Sequence, residues 1–191
     1  MKFNFNSKDL LKDLEKKQLE QDKLISISRI LIRECSNSIK LMHANDLKAA
    51  KINLLKLKNS INKLKKAYPE NKTIVQAVWQ EYAEAYLFLC CLEKKPFPSY
   101  KKLGLSVQSY VLGLLDLFGE LRRKIIYYLA NKNLKEAEFL FSIMQTLFDE
   151  LLLFRFSSSL LPNFKKKQDI ARIQLEESRI QILQARWKYE N

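Results

Sequence analysis

The sequence predicts an all-α protein, a single bundle of about six long helices. Leu, Lys, Glu, Ala and Gln, which favour helix, are abundant, while three glycines and four prolines leave little material for tight hairpins. Apolar residues recur at helical rather than alternating spacing. The 191 residues, 47% of them hydrophobic, suffice to bury one sizeable core. No short repeat and no long linker divides them, so residues 1–191 are expected to form one domain.

The first helix is expected to start at an Asn6/Ser7 cap and run to about Met42, with Leu10, Leu14, Ile27 and Leu31 on its apolar stripe. Asn45 is expected to cap the second, which stops before Tyr68-Pro69. Its positions Leu47, Ala50, Leu54, Leu57, Ile61 and Leu64 keep a helical period, which favours a core face over one lying on lipid. The third spans roughly residues 70–93 and is halted by KKPFPS. Ser106 should cap a fourth helix running to Ala130. Asn133, with Glu136 three residues later, makes a capping-box-like start for a fifth reaching Phe154. After SSSLLPN a sixth covers about residues 164–189.

Lys and Arg outnumber Asp and Glu by 34 to 21, and the net charge of +13 should draw the chain toward polyanions, nucleic acid first. Residues 46–68 hold seven lysines against one aspartate, and basic triplets stand at Arg122-Arg123-Lys124 and Lys165-Lys166-Lys167. These triplets are the candidate phosphate contacts. Tyr127 and Tyr128 are the aromatic pair best placed to stack on bases. The N-terminal MKFNFNSKDLLKDLEKK turns charged where a signal peptide needs an apolar core. The longest uncharged stretch, Leu103 to Leu115, falls short of the roughly 20 residues that cross a bilayer. Three cysteines without a framework spacing suggest reduced thiols packed in a core, so a cytoplasmic setting without membrane association is expected.

The stretch WQEYAEAYLF sets Glu81 and Glu84 three residues apart, on one side of a helix, among Ile74, Ala77, Ala85 and Phe88. Two carboxylates there would repel and be poorly solvated. SYVLGLLDLFGELRRKIIYYL repeats the pattern with Asp116 and Glu120 four apart, beside Gly113, which permits a close helix approach. If the two helices pack side by side, four carboxylates form an all-oxygen pocket suited to Mg²⁺ or Mn²⁺, which can polarise a phosphate and activate water. Solvated acid pairs are the competing reading. Arg123 shares the acid face and would either pair with Glu120 or reach a phosphate. A di-iron centre is disfavoured, since Glu-x-x-His motifs need more than the single His43, itself read as a partly buried structural residue. No Gly-rich phosphate loop, GxSxG, CxxC or HExxH occurs.

QEYAEA, followed about thirty residues later by SYVLGLLDLFGEL, resembles the paired motifs of the translin/translin-associated factor X (TRAX) family, and SRILIRECSNSIKLMH is similar to that family's long first helix, which ends near a His. The resemblance implies helical subunits closing into a roughly octameric homo-oligomeric shell that binds single-stranded RNA or DNA. In the TRAX type it implies RNA cleavage with Mg²⁺, the acids falling on Glu81, Glu84, Asp116 and Glu120. The chain lacks the long loops of the eukaryotic subunit. The expected function is thus a metal-dependent endoribonuclease acting on single-stranded RNA; the alternatives are a non-catalytic nucleic-acid-binding shell of translin type and a helical scaffold with a basic surface.

Overall fold

The structure is a computed structural model and describes residues 6–68 and 72–190. Among these it contains seven α-helices: α1 (Ser7–His43), α2 (Leu47–Ala67), α3 (Lys72–Leu92), α4 (Tyr100–Leu103), α5 (Val107–Ala130), α6 (Leu134–Leu152) and α7 (Phe164–Glu190). Six are the long helices anticipated. The seventh, α4, is a single turn inside the segment expected to be loop. Ser99 caps it by accepting from the Lys102 N–H, and Gly104 ends it in the left-handed region at φ 74°. Pro69 and residues 70–71, where the second and third helices were expected to meet, lie outside the described residues.

The caps explain where the helices begin. Ser106 accepts from the Ser109 N–H at 3.1 Å, and Asn133 Oδ1 accepts from the Glu136 N–H. Glu136 does not complete the reciprocal box; its carboxylate binds Lys94 at 2.7 Å instead. Asn6 stands at the start of α1 but makes no cap bond to the backbone; its amide donates to Asp9. At α2 the expected cap is displaced by one residue. Asp46, not Asn45, accepts from the Ala49 N–H, because Asn45 sits at φ 65° and closes the end of α1. There the Asp46 N–H bonds Leu41 O and the Asn45 N–H bonds Met42 O, satisfying carbonyls that the helix leaves open.

Helices α3 and α5 form the spine. Helices α1 and α2 pack on α3, and α6 and α7 pack on α5. The core is continuous through both halves, with Leu54, Leu57 and Ile61 of α2, Val78, Leu87 and Phe88 of α3, Leu117, Phe118 and Leu121 of α5, and Leu140 and Met144 of α6. The apolar stripe of α2 thus meets protein, as its period predicts. Cys35, Cys90 and Cys91 are free and buried, and burial raises their thiol pKa values. Among the described residues no helix is long and apolar enough to cross a membrane. Residues 7–23 of α1 are exposed, and Leu24 is its first buried residue.

Lys124 ties the end of α1 to the spine. It is 1% exposed, and its ammonium donates to Met42 O at 3.1 Å, to His43 O at 3.4 Å and to Asn45 Oδ1 at 2.7 Å. The cation neutralises the negative end of the α1 dipole, while burial lowers its pKa. Lys124→Met keeps the length and removes the donor. It is expected to cost about 2 kcal/mol and to lower the melting temperature by about 4–8 °C, measured by calorimetry.

Candidate functional site

The two acid pairs meet where α3 crosses α5. A Cβ on Gly113 would lie 2.8 Å from the Gln80 carbonyl oxygen, 2.8 Å from Ala83 Cβ and 3.1 Å from the Glu84 nitrogen, so glycine is what lets the helices touch at this turn. Asp116 and Glu120 lie one and two turns further along α5, and their charges act directly on Glu81 and Glu84. The four carboxylates are therefore near enough to act on one another electrostatically, without closing around a single point among the described residues. The stripe around them is less uniformly apolar than expected: Ala85 and Phe88 are buried, but Ala77 is exposed, so the site opens toward the N-terminal end of α3.

The electrostatics are costly. Glu84 is 9% exposed, and burial first, then the negative charges of Glu81, Asp116 and Glu120, push it up to about 9, with Lys167 pulling the other way. Glu81 is raised by burial, then by Asp116 and Glu120, again opposed by Lys167. Neither accepts a hydrogen bond from any of the described residues. Asp116 and Glu120 have partners. Lys167 of α7 makes an ion pair with Asp116, and Gln80 Nε2 donates to it at 2.6 Å. His43 Nε2 lies 2.5 Å from Glu120, its ring 5.0 Å from that of Phe88.

All four acids offer hard oxygen donors, the set that Mg²⁺ or Mn²⁺ selects, and two of the four have no competing partner. In the side-chain positions described, no three acidic, histidine or cysteine groups close to metal-holding distance among the described residues. Asp116 and Glu120 are turned toward Lys167 and His43. The donor chemistry is of the kind a divalent cation takes, although the acids would have to turn toward one another to hold it.

The basic triplets separate. Arg123 and Lys166 are exposed, and neither has an ion-pair partner among the described residues. Arg123 thus takes neither the place beside Glu120 nor any other ion pair; His43 holds Glu120. Lys165 is exposed and pairs with Asp169 at 3.3 Å, and Arg122 pairs with Glu177 at 3.0 Å. Lys124 faces the interior. Tyr127 is exposed, its hydroxyl accepting from Asn45 Nδ2, and Lys124 lies over both tyrosine rings.

His43 and Gln80 were not anticipated as parts of the site, and Lys167, read as a phosphate contact, was not expected to pair with Asp116. His43 is 77 positions from Glu120, and Lys167 is 51 from Asp116. The one available signal was that the single histidine stands at the predicted end of the first helix.

No protein-family model matches the chain. Over 174 residues it is 32% identical to an uncharacterized protein, MJ0175, of Methanocaldococcus jannaschii, which covers 88% of this chain and 78% of the relative. Among solved structures it is similar to AfC3PO in its complex with duplex RNA, at 25% identity and a TM-score of 0.87, over 98% of this chain and 100% of that one. AfC3PO alone gives 24% identity and a TM-score of 0.86 over 98% and 100%. Apo-NeC3PO gives 22% and 0.82 over 97% and 100%.

Proposed function

The chain belongs to the translin/TRAX-like family, and on that basis we propose that it is an RNA-binding, metal-dependent endoribonuclease. The observation that supports the proposal is the close crossing of α3 and α5 at Gly113, which sets Glu81, Glu84, Asp116 and Glu120 in one charged neighbourhood, where burial and the other three acids push Glu84 up to about 9. Such mutual repulsion is expensive in a structural role and useful in one that gathers a cation.

The four carboxylates would hold Mg²⁺, or Mn²⁺ in its place; when bound, the ion polarises a phosphodiester and acidifies a water. This chain's own residues do the rest. Glu81, short of donors, is suited to accept the proton of an attacking water, and Glu84 can share that role only once a bound cation has displaced the proton its raised pKa otherwise keeps. His43 and Gln80 fix Glu120 and Asp116 in orientation. Lys167 puts a cation beside the site that can meet a phosphate oxygen once Asp116 turns away. Arg123, Lys165 and Lys166 supply exposed charge for phosphates along the strand, and Arg122 adds its charge at the edge of its pair with Glu177.

The AfC3PO complex contains duplex RNA; for this chain single-stranded RNA is proposed as the substrate and single-stranded DNA as a second ligand. Leu10, Leu14, Ile173, Ile180 and Leu183 are exposed on α1 and α7; a homo-oligomeric shell, octameric in the family's pattern, is proposed, since association between copies would cover such apolar side chains.

Labelled single-stranded RNA incubated with the purified protein is expected to be cut in Mg²⁺ and left whole in EDTA. Asp116→Ala is expected to lower cleavage by about a thousandfold while leaving binding in place. Cutting that persists in EDTA, or in the Asp116→Ala protein, would remove the assignment. Binding should weaken steeply with salt. If binding survives and no cutting is seen under any divalent ion, the non-catalytic shell takes its place.

A further inference from the structure

Two cavities that share Gln76 and Gln108 lie to one side of the acid cluster, the nearer one reaching the residues that bind Asp116. The first, about 390 Å³, runs from Gln80 and Lys167 past Gln76 and Gln108 to Asn163. The second, about 410 Å³, lies across Gln76 and Gln108 and is lined by Trp79, Tyr68 and Lys65. The first cavity is therefore one residue removed from the acids, because Gln80 of its lining donates to Asp116 at 2.6 Å and Lys167 pairs with it.

The polar groups here are unspent. The side chains of Gln76 and Gln108 are half-buried and make no hydrogen bond with the described residues. The Trp79 indole N–H is buried without an acceptor among them. Lys65 stands 5.2 Å above the Trp79 ring, keeping a cation against an aromatic face. A buried donor is normally satisfied, so the Trp79 N–H is the group that points to a ligand, while the two half-buried carboxamides stand ready to bond one in the cavity.

Carboxamides match the edges of nucleobases, and an indole with a neighbouring cation matches a stacked base with its phosphate. Bases paired in an A-form duplex keep their faces stacked and their Watson–Crick edges occupied, whereas unstacked ones offer both.

We infer that the double cavity is the track by which single-stranded RNA reaches the acid cluster. The base next to the cut phosphate lies against Gln76 and Gln108, and the next base takes the Trp79 face that Lys65 covers, the displaced ammonium meeting that nucleotide's phosphate. This rests on the endoribonuclease reading for its direction and adds a base-reading site to it.

The chain has two tryptophans, Trp79 and Trp187, so Trp187→Phe leaves Trp79 as the sole indole reporter. Five-nucleotide RNAs are titrated into that protein in EDTA, with a fluorescein-labelled copy followed by anisotropy in parallel. Saturable quenching of Trp79 at the concentrations where anisotropy rises is expected. The double variant Gln76→Ala/Gln108→Ala, its helicity checked by circular dichroism, should weaken single-strand binding about tenfold or more.

Anisotropy that rises with Trp79 emission unmoved overturns the track. So does equal quenching by a blunt duplex of the same sequence, or a double variant that binds single strands as tightly as the parent. Quenching that obeys these expectations in a protein that never cuts RNA in Mg²⁺ leaves the track standing and removes the nuclease.

Discussion

Glu84→Gln is expected to raise the melting temperature in EDTA while lowering RNA cleavage about a thousandfold. Glu84 binds its proton more tightly in the folded chain, where its pKa is about 9, than at its ordinary value of 4.5. The stability attached to this group is therefore fully present below about 4.5 and is lost as pH rises through about 9. Glutamine keeps the shape and has no proton to lose. Its advantage over the parent should be small at pH 5 and grow steadily toward pH 9, reaching about 2 kcal/mol near pH 8 and about 4–8 °C in melting temperature. Calorimetry across that range reads it directly. Added Mn²⁺ should stabilise the parent and leave the variant nearly unmoved, because only the parent gathers the ion. Parallel pH profiles for the two proteins would show that the carboxylate carries no such cost.

Gly113→Ala should be severe for a one-carbon change. Alanine is a better helix former by about 1 kcal/mol, yet its methyl would meet the Gln80 carbonyl and Ala83 Cβ at 2.8 Å, and one of these is backbone. Helix α3 must move, at a net cost of about 2 kcal/mol, and the acid pairs move apart with it. Cleavage should drop tenfold to a hundredfold from misplacement alone, with Mn²⁺ affinity falling in step. Gly119→Ala is the control. Its Cβ would meet only the mobile end of Gln174, at 3.3 Å, so stability should hold or rise slightly. Equal behaviour of the two variants in calorimetry and in cleavage would mean that the Gly113 contact does not set the site.

The two acid pairs were legible because both are local. Three- and four-residue spacings place Glu81 with Glu84 and Asp116 with Glu120 on helix faces before any tertiary contact is known. The anomaly was chemical: carboxylates inside apolar runs. What remained hidden were the partners that depend on which helix ends land where. His43 reaches Glu120 only because Asn45 turns left-handed and Lys124 clamps the α1 terminus against α5. Asn45 itself was misread as a helix start, since asparagine suits both a cap and a left-handed residue. Asp46 next to it decided the matter. The inward turn of Lys124 was equally illegible: in RRK every residue is a surface candidate, and only the open carbonyls at the end of α1 select one of the three.

The exposed opening of α1 has a thermodynamic corollary. Residues 7–23 are exposed throughout, and a helical run of that length is marginal in water without packing. It persists by continuing a helix nucleated from Leu24 onward. Amide exchange in the isolated subunit should then slow progressively along α1, with Leu10 and Leu14 trading hydrogens long before Leu31 and Ile39. Any neighbour that covers those leucines would register as a sudden flattening of that gradient.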